Sequence, residues 1–375
     1  MGHSVVRYNF AMASSVTRLH SAHGVLAALA RGVLAGGYVP EVPVRMMTSI
    51  SGLASDAERN QLIRALRALD TRTGALALTG RPVPVSWLSP DEAEEVVQKW
   101  VDSRLIALRR LGKVFSSLAT QALYGHEGPV WNQLGYPGPR GEAPDEPKTL
   151  EPLSVTSDET LTCDVVVVGS GAGGGCVAAG LARAGLDVIV VEKGGYFAES
   201  DFHHREGDSL RELYLYGSNL TTTDLGVLIL AGSMLGGGTV INYSTSFKTP
   251  AHVLEQWREV SGIDAFTSGE FEEHLDAVSA RIGVNTDSSA AGKRDEIVET
   301  GLKQLGWHVD MMPRAVRGCS QDEGCGYCGF GCRTGAKQST LRVHLQDAYD
   351  AGARLIVGAE IDQVTISDGL ATGVV

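Results

Sequence analysis

The pattern of apolar and polar positions divides the chain into a helical first part and a mixed second part. Apolar residues recur at helical spacing over residues 62–69 and along a longer stripe over residues 97–118. A capping box precedes each stripe, formed by Ser55 with Glu58 and by Ser89 with Glu92. We therefore predict a helix after Ser55 and one long helix that begins at Pro90 and continues through residue 118.

The second part alternates short apolar runs with helical patterns. Residues 165–168 are four valines, whose β-branching suits a strand buried on both faces, and residues 186–191 form a second apolar run. Further helices are predicted over residues 271–282, 295–305 and 339–351, and further strands over residues 354–357, 363–366 and 370–375. The last two strands flank a glycine-bearing turn at residues 367–369.

A glycine-rich turn joins the two valine-rich runs. Gly169, Gly171 and Gly174 give the spacing G-x-G-x-x-G, and Glu192 follows the second run. The glycines allow a tight turn, a close backbone approach to a pyrophosphate and close helix packing, while a carboxylate at that strand end can accept hydrogen bonds from ribose hydroxyls. Because strand, turn, helix, strand and acid occur in this order, we predict a dinucleotide site, without deciding between FAD and NAD. Glu192 disfavours a ribose 2′-phosphate.

A second glycine cluster lies at residues 232–242. Consecutive glycines, Gly236 to Gly238, stand beside Thr239 and Asn242. This composition is too rich in glycine for a helix interior, but it suits a backbone that presses against a flat or anionic ligand while short polar side chains supply hydrogen bonds. The alternative is a plain surface loop.

Composition limits the classes of function. The net charge of −12 disfavours a nucleic-acid partner. No apolar run is long enough for a membrane-spanning helix, and the start lacks the order of a signal peptide, so we expect the cytosol or a membrane surface. The long helix carries Arg104, Arg109, Arg110 and Lys113, so that the N-terminal helices could make peripheral membrane contact or simply be solvated.

Four of the six cysteines crowd together, namely Cys319, Cys325, Cys328 and Cys332. Four thiolates at such spacing could hold an iron–sulfur cluster or zinc. The alternative is that they are small packing residues in a glycine-rich loop. We assign no metal ligand and leave both interpretations open.

Three stretches together resemble the glucose-methanol-choline (GMC) family of FAD-dependent oxidoreductases, and most closely its long-chain fatty alcohol oxidases. They are residues 169–174 with Glu192, residues 230–250 and residues 325–340. In that subgroup the second glycine block continues into N-[YW]-S-x-S-x-K-T-P, which is present here from Asn242 to Pro250. A helical N-terminal extension and the GYP segment at residues 135–137 are also similar.

The resemblance implies FAD as the cofactor and an aliphatic primary alcohol as the small-molecule substrate, oxidised to an aldehyde by hydride transfer to the flavin. It implies that the cofactor is bound by Gly169, Gly171, Ala172, Gly173, Gly174 and Glu192 at the adenosine and pyrophosphate end, and by Gly236, Gly237, Gly238, Thr239 and Asn242 toward the ring. In the family, a backbone group of the strand that corresponds to residues 360–362 meets the adenine, which adds Ile361.

The family's proton-accepting histidine and its partner lie near the C-terminus, and nothing in residues 1–375 aligns with them. We therefore assign no catalytic residue, and we expect the chain to be an N-terminal fragment that is inactive alone. Alternatives are an iron–sulfur-containing FAD dehydrogenase of sugars or polyols, and a non-catalytic FAD-binding remnant. An NAD dehydrogenase would leave the second glycine block without a role.

The expected fold class is α/β, with a Rossmann-like FAD-binding domain, an N-terminal helical domain and an incomplete substrate domain. The expected boundaries are a helical domain at residues 1–123, a linker rich in proline, glycine and acids at 124–161, and the FAD-binding domain at 162–375. Part of the substrate domain would be inserted around residues 250–340.

Overall fold

The computed structural model describes residues 4–6, 22–53, 56–155, 158–222, 227–321 and 325–375. The chain divides into two compact units. The helical unit comprises Asn9–Pro139 and His204–Ala231, and the sheet unit comprises Met1–Tyr8, Arg140–His203 and Gly232–Val375. The domain boundaries expected from the sequence remain a prediction.

The first elements belong mainly to the helical unit. They are β1 (Ser4–Val6, in the sheet unit), α1 (His23–Leu34), α2 (Val42–Ser51), α3 (Asp56–Leu69), α4 (Arg72–Thr79), α5 (Pro90–Val101), α6 (Ile106–Tyr124) and α7 (Pro129–Leu134), with 3₁₀ turns at Ala35–Gly37 and Val85–Trp87. The predicted stripe of α3 is buried at Ile63, Leu66 and Leu69. Ser55, the predicted cap of that helix, lies outside the described residues.

The capping box at Ser89 is confirmed, but the prediction of one long helix is wrong. Ser89 accepts a hydrogen bond from the Glu92 N–H and the Glu92 side chain bonds back to the Ser89 N–H, yet the helix ends at Val101 and a second one starts at Ile106. The chain turns back between them, so that Trp100 packs on Phe115 with ring centroids 6.3 Å apart. Gly112 permits this approach, because a Cβ there would lie 2.8 Å from the Val101 nitrogen. One apolar stripe therefore serves two antiparallel helices.

The remaining elements follow in chain order. They are β2 (Leu161–Cys163), β3 (Val165–Val168), α8 (Ala172–Arg183), β4 (Val188–Val191), α9 (Glu206–Leu213, in the helical unit), α10 (Gly238–Ile241), α11 (Ala251–Ser261), α12 (Gly269–Arg281), β5 (Val284–Asn285), α13 (Lys293–Gln304), β6 (Arg314–Ala315), a π turn (Leu341–Leu345), α14 (Gln346–Asp350), β7 (Arg354–Ile356), β8 (Val364–Ser367) and β9 (Leu370–Val374). Four 3₁₀ turns lie at Glu199–Asp201, Leu215–Ser218, Asp264–Thr267 and Cys328–Phe330.

Three sheets organise the sheet unit. A parallel sheet has the order β3-β4-β7, with Val165 opposite Val188 and Ile189 opposite Arg354. A four-stranded sheet has the order β2-β1-β9-β8, and β5 pairs with β6. The predicted turn between the last two strands is confirmed, with positive φ at Asp368 and Gly369. The architecture is thus a mixture of helices and sheets, as expected.

The prediction that the four valines of β3 are buried on both faces is wrong. Val167 is buried and Val165 and Val166 are half-buried, but Val168, where the strand ends at the glycine turn, keeps 55% of its surface exposed. The central strand is β4, and all four of its residues are buried. Across the described ranges, no helix is both long and apolar enough to span a bilayer.

Candidate nucleotide-binding site

The glycine turn after β3 leads directly into α8. Gly169 has a φ of +85°, and Gly174 packs so closely on it that a Cβ at Gly174 would lie 1.9 Å from the Gly169 carbonyl oxygen. The N-cap of α8 is Gly171, and no side chain of the described residues caps it. Ala172 and Gly173 are exposed at the first turn. An uncapped helix N-terminus with exposed backbone N–H groups is suited to bind a phosphate.

The space around this turn is open. A Cβ added at Gly171, Gly173 or Gly238 would meet no atom within 4 Å. Open space therefore lies beside the helix N-terminus and beside the second glycine segment. A diphosphate can approach the backbone there. At Gly174 and Gly237, by contrast, other backbone atoms already fill the space.

Glu192 stands at the end of β4, as the sequence indicates, but its carboxylate is turned inward. It is only 7% exposed. One carboxylate oxygen accepts hydrogen bonds from the Ser170 N–H at 3.0 Å and hydroxyl at 2.5 Å, and the other accepts from the Gly194 N–H at 2.9 Å. The protein's own donors orient this carboxylate. A bond to ribose hydroxyls stays a prediction.

The second glycine segment lies directly against the first. The Leu235 N–H donates to the Gly195 carbonyl at 2.9 Å. A Cβ at Gly194 would lie 1.9 Å from the Ser233 carbonyl oxygen, and one at Gly237 would lie 2.9 Å from the Gly171 Cα. Backbone meets backbone at these points, since no side chain could fit between the segments. The first glycine turn, Gly194–Gly195 after β4 and the second glycine segment are thus joined into one surface.

Ser170 connects the two segments, and sequence reasoning missed it. Its side chain is fully buried; the hydroxyl donates to Glu192 and accepts from the Gly236 N–H at 3.0 Å. One hydroxyl therefore links the glycine turn, the acid of β4 and the second glycine block. The only sequence signal was its place between the first two glycines of the motif.

The polar side chains of the second glycine segment differ in whether their polar atoms are already hydrogen-bonded within the protein. The glycine-rich residues 232–237 form no helix, as predicted, and a single helical turn, α10, follows over Gly238–Ile241 with its one glycine at the first position. The Thr239 hydroxyl donates to the Gly236 carbonyl at 2.6 Å and accepts from the Thr340 N–H at 2.9 Å, so it is used within the protein. Asn242 is exposed, and its side-chain oxygen accepts from the Ser244 N–H at 3.0 Å. Its amide nitrogen is therefore available to a ligand.

Ile361 lies in the connection between β7 and β8, so the expectation of a strand at residues 360–362 is wrong. Its side chain packs on an apolar cluster that includes Ile189, Val191 and Ile356. The Ala359 N–H donates to the Glu192 carbonyl at 3.0 Å, which places this connection near the acid at the end of β4. An adenine contact by Ile361 stays a prediction.

The four clustered cysteines are free thiols. Burial raises the pKa of the Cys325 thiol, which favours its neutral form. Within the described stretches, no group of three or more histidine, cysteine, aspartate or glutamate residues is arranged to hold a metal ion. The cluster interpretation gains no support from this arrangement and remains to be tested by iron and sulfide analysis.

A cavity of ≈ 760 Å³ lies beyond the second glycine segment in the sheet unit. Tyr243, the neighbour of Asn242, lines it together with the apolar side chains Val298, Met311 and Met312. Arg314, Cys325 and the acids Asp295, Glu299 and Asp310 complete much of its wall. It can therefore hold an organic molecule with an apolar part next to Tyr243.

Comparison with known proteins agrees with this site. Residues 210–375 match the family model of GMC oxidoreductases, and residues 164–203 match an FAD-binding domain. Three long-chain-alcohol oxidases of Arabidopsis thaliana are similar: one is 44% identical over 208 residues, covering 56% of this chain and 27% of the relative. The second is 32% identical over 340 residues (79% and 45%), and the third 31% over 348 residues (81% and 46%). The chain thus spans less than half the length of these relatives.

Proposed function

The chain belongs to the GMC oxidoreductase family, whose cofactor is FAD, and we propose that it contributes the FAD site of an enzyme that oxidises long-chain primary alcohols. The observation that carries the proposal is the junction of the two glycine segments at Gly171 and Gly237. A backbone surface of this kind, beside an uncapped helix N-terminus, suits a flavin nucleotide within a Rossmann-like βαβ unit. The long-chain alcohol class comes from the names of the relatives.

The residues of the site divide into two groups under this proposal. Gly169, Gly171, Ala172, Gly173 and Gly174 present the first turn of α8 to the diphosphate, Glu192 lies at the ribose, and Ile361 lies at the adenine. Gly236, Gly237, Gly238, Thr239 and Asn242 form the surface toward the ring. Thr239 would act by shaping the loop, since its hydroxyl is bound internally, and Asn242 would donate from its side-chain amide.

FAD, when bound, supplies the acceptor for the hydride that leaves the alcohol carbon. The chain's own residues bind and orient the diphosphate, exclude water where the glycines close on one another, and offer a donor at Asn242. The apolar wall of the cavity, with Val298, Met311 and Met312, suits an aliphatic chain. We assign no base for the hydroxyl proton, and we propose that the chain alone does not turn over.

Two measurements on purified residues 1–375 test the proposal. The first is FAD uptake, and the second is loss of oxidised-flavin absorbance when a long-chain primary alcohol is added without oxygen. FAD uptake without reduction supports the site and the expected inactivity. Reduction by the alcohol supports the activity and refutes the inactivity. Reduction by a hexose instead would favour the sugar dehydrogenase, and failure to take up FAD would contradict the proposed site.

Peripheral membrane contact is a further part of the proposal. Leu105 and Ile106 are exposed at the start of α6, beside the exposed Arg104 and Arg109. Apolar side chains flanked by arginines can insert at the surface of an anionic bilayer. Cosedimentation with vesicles that contain phosphatidylserine, lost on Leu105→Ser with Ile106→Ser, would support the contact; wild-type protein that stays in the supernatant would refute it.

A further inference from the structure

A lysine lies beneath the second glycine segment. Lys337 is only 5% exposed. Its ammonium donates hydrogen bonds to three backbone carbonyls, those of Val240 at 2.7 Å, Asn242 at 2.5 Å and Cys328 at 2.7 Å. The first two carbonyls belong to the glycine block, and the third belongs to the cysteine-bearing loop. One side chain thus holds two segments that are far apart in sequence.

The backbone of Lys337 is itself fixed. Lys337 pairs with Val316 in an antiparallel bridge, and the Gln338 N–H donates to the Ala315 carbonyl at 3.0 Å. Three residues further on, the Thr340 N–H donates to the Thr239 hydroxyl. The segment that carries the lysine therefore underlies the glycine block along residues 239–242. The block is therefore contacted both by the backbone of this segment and by the Lys337 ammonium.

The ammonium has no carboxylate partner among the described residues. The charged and titratable groups that face it are the thiols of Cys328 and Cys332 and the guanidinium of Arg314. Burial is the main cause that lowers the pKa of Lys337 from its ordinary 10.5 to about 8; Arg314 also lowers it, and the neighbouring Cys328 and Cys332 act in the opposite direction. A buried cation without an anion destabilises the fold, so its presence beside a cofactor site points to a role in function.

We propose that Lys337 is a positioning residue of the cofactor site, whose ammonium gathers the carbonyls of Val240, Asn242 and Cys328 and so fixes the direction in which the Asn242 amide is presented. The inference rests on the proposed FAD function. The protonated side chain has three N–H donors for three carbonyls, whereas the neutral amine has two donors and a lone pair. Loss of the proton therefore leaves one buried carbonyl without a donor and loosens the Asn242 end of the block.

This role predicts opposite effects of pH on affinity and on stability. As pH rises through about 8, the ammonium loses its proton and FAD affinity falls. The folded pKa is below the ordinary value of 10.5, so the unfolded chain binds more protons between about pH 8 and 10.5. Lys337 therefore makes the free energy of unfolding rise with pH across that window. A residue that only held the fold together would show the same rise in the free energy of unfolding but would leave FAD affinity unchanged.

The experiment is a calorimetric titration of the whole chain with FAD between about pH 7 and pH 9.5. We expect wild-type affinity to fall about tenfold across this range. Lys337→Met should bind FAD about tenfold more weakly at neutral pH and show no further fall, since the hydrogen bonds from the charged donor are lost. Lys337→Gln, which keeps two donors, should be intermediate. Lys248→Met is the matched control, because Lys248 is an exposed lysine in the segment that follows the glycine block and pairs with Asp276. This variant should follow wild type.

A second measurement does not depend on FAD. Hydrogen exchange of the protein without cofactor should show lower protection factors at residues 240–246 in Lys337→Met, and in wild type as pH rises through about 8. If wild type takes up no FAD at any pH, the proposed function fails while this measurement still tests Lys337. Lys337→Met and Lys337→Gln with wild-type affinity, pH profile and protection would overturn the inference. Should the methionine variant fail to fold, the glutamine variant and the wild-type pH series carry the test.

Discussion

Two regions of the sheet unit show different ways in which sequence specifies structure. In the nucleotide-binding segment, residues 163–195, every residue of β4 is buried and Gly174 and Gly194 are each closed by backbone at 1.9 Å. In the three helices α11, α12 and α13, a fully described stretch, no residue is buried, and Val260 is 91% exposed. Close packing dictates residue identity in the first region. The second region forms helices without a packed core.

The largest effect on stability should come from adding one methyl group in the closely packed nucleotide-binding segment. In Gly174→Ala, the new Cβ would lie 1.9 Å from the Gly169 carbonyl oxygen, a backbone atom that cannot rotate away. We expect denaturant unfolding to show a loss of about 3 kcal/mol or more, at the upper end for overpacking. The control is Gly180→Ala on the same helix, where no atom lies within 4 Å and alanine should stabilise by about 0.5 kcal/mol or more. Equal stability of the two variants would mean that the turn is not closed.

The smallest effect on stability should come from a substitution in the exposed helices α11, α12 and α13. Val260→Ser in α11 replaces a side chain with no packed surface to lose. We expect the free energy of unfolding to change by less than about 0.5 kcal/mol. A loss of more than about 1 kcal/mol in the same assay would show that this face packs against something, and the comparison would fail.

Much of the fold could be predicted because it depends on local chemistry. The strand, glycine turn, helix and second strand of residues 165–191, the cap at Ser89 and the turn at Asp368 leave direct traces in the sequence. The break between α5 and α6 left no such trace in the sequence, because the apolar stripe continues across residues 102–105. A periodic pattern reports which face is buried, not whether the chain reverses.

The glycines of the candidate site could be predicted from the sequence, but the side chains that hold its backbone in place could not. Ser170 and Lys337 act through hydrogen bonds to atoms that are distant in sequence, and such bonds follow no sequence period or spacing. Thr239 was expected to face the ligand, but its hydroxyl has both a donor and an acceptor partner within the protein. Side chains that orient a loop and side chains that meet a ligand have the same composition, so only coordinates separate them.

The central claim, that two glycine segments form one FAD site, is tested most directly by the dissociation constants of FAD and NAD for wild type and Gly237→Ala. Gly237 has a φ of +54°, and a Cβ there would lie 2.9 Å from the Gly171 Cα. We predict that wild type takes up FAD in preference to NAD, and that the variant binds FAD at least about tenfold more weakly, since the strain and the clash separate the segments. The control, Gly180→Ala, should bind as wild type does. Uptake of NAD with FAD left free, or unchanged FAD affinity in Gly237→Ala, would contradict the claim.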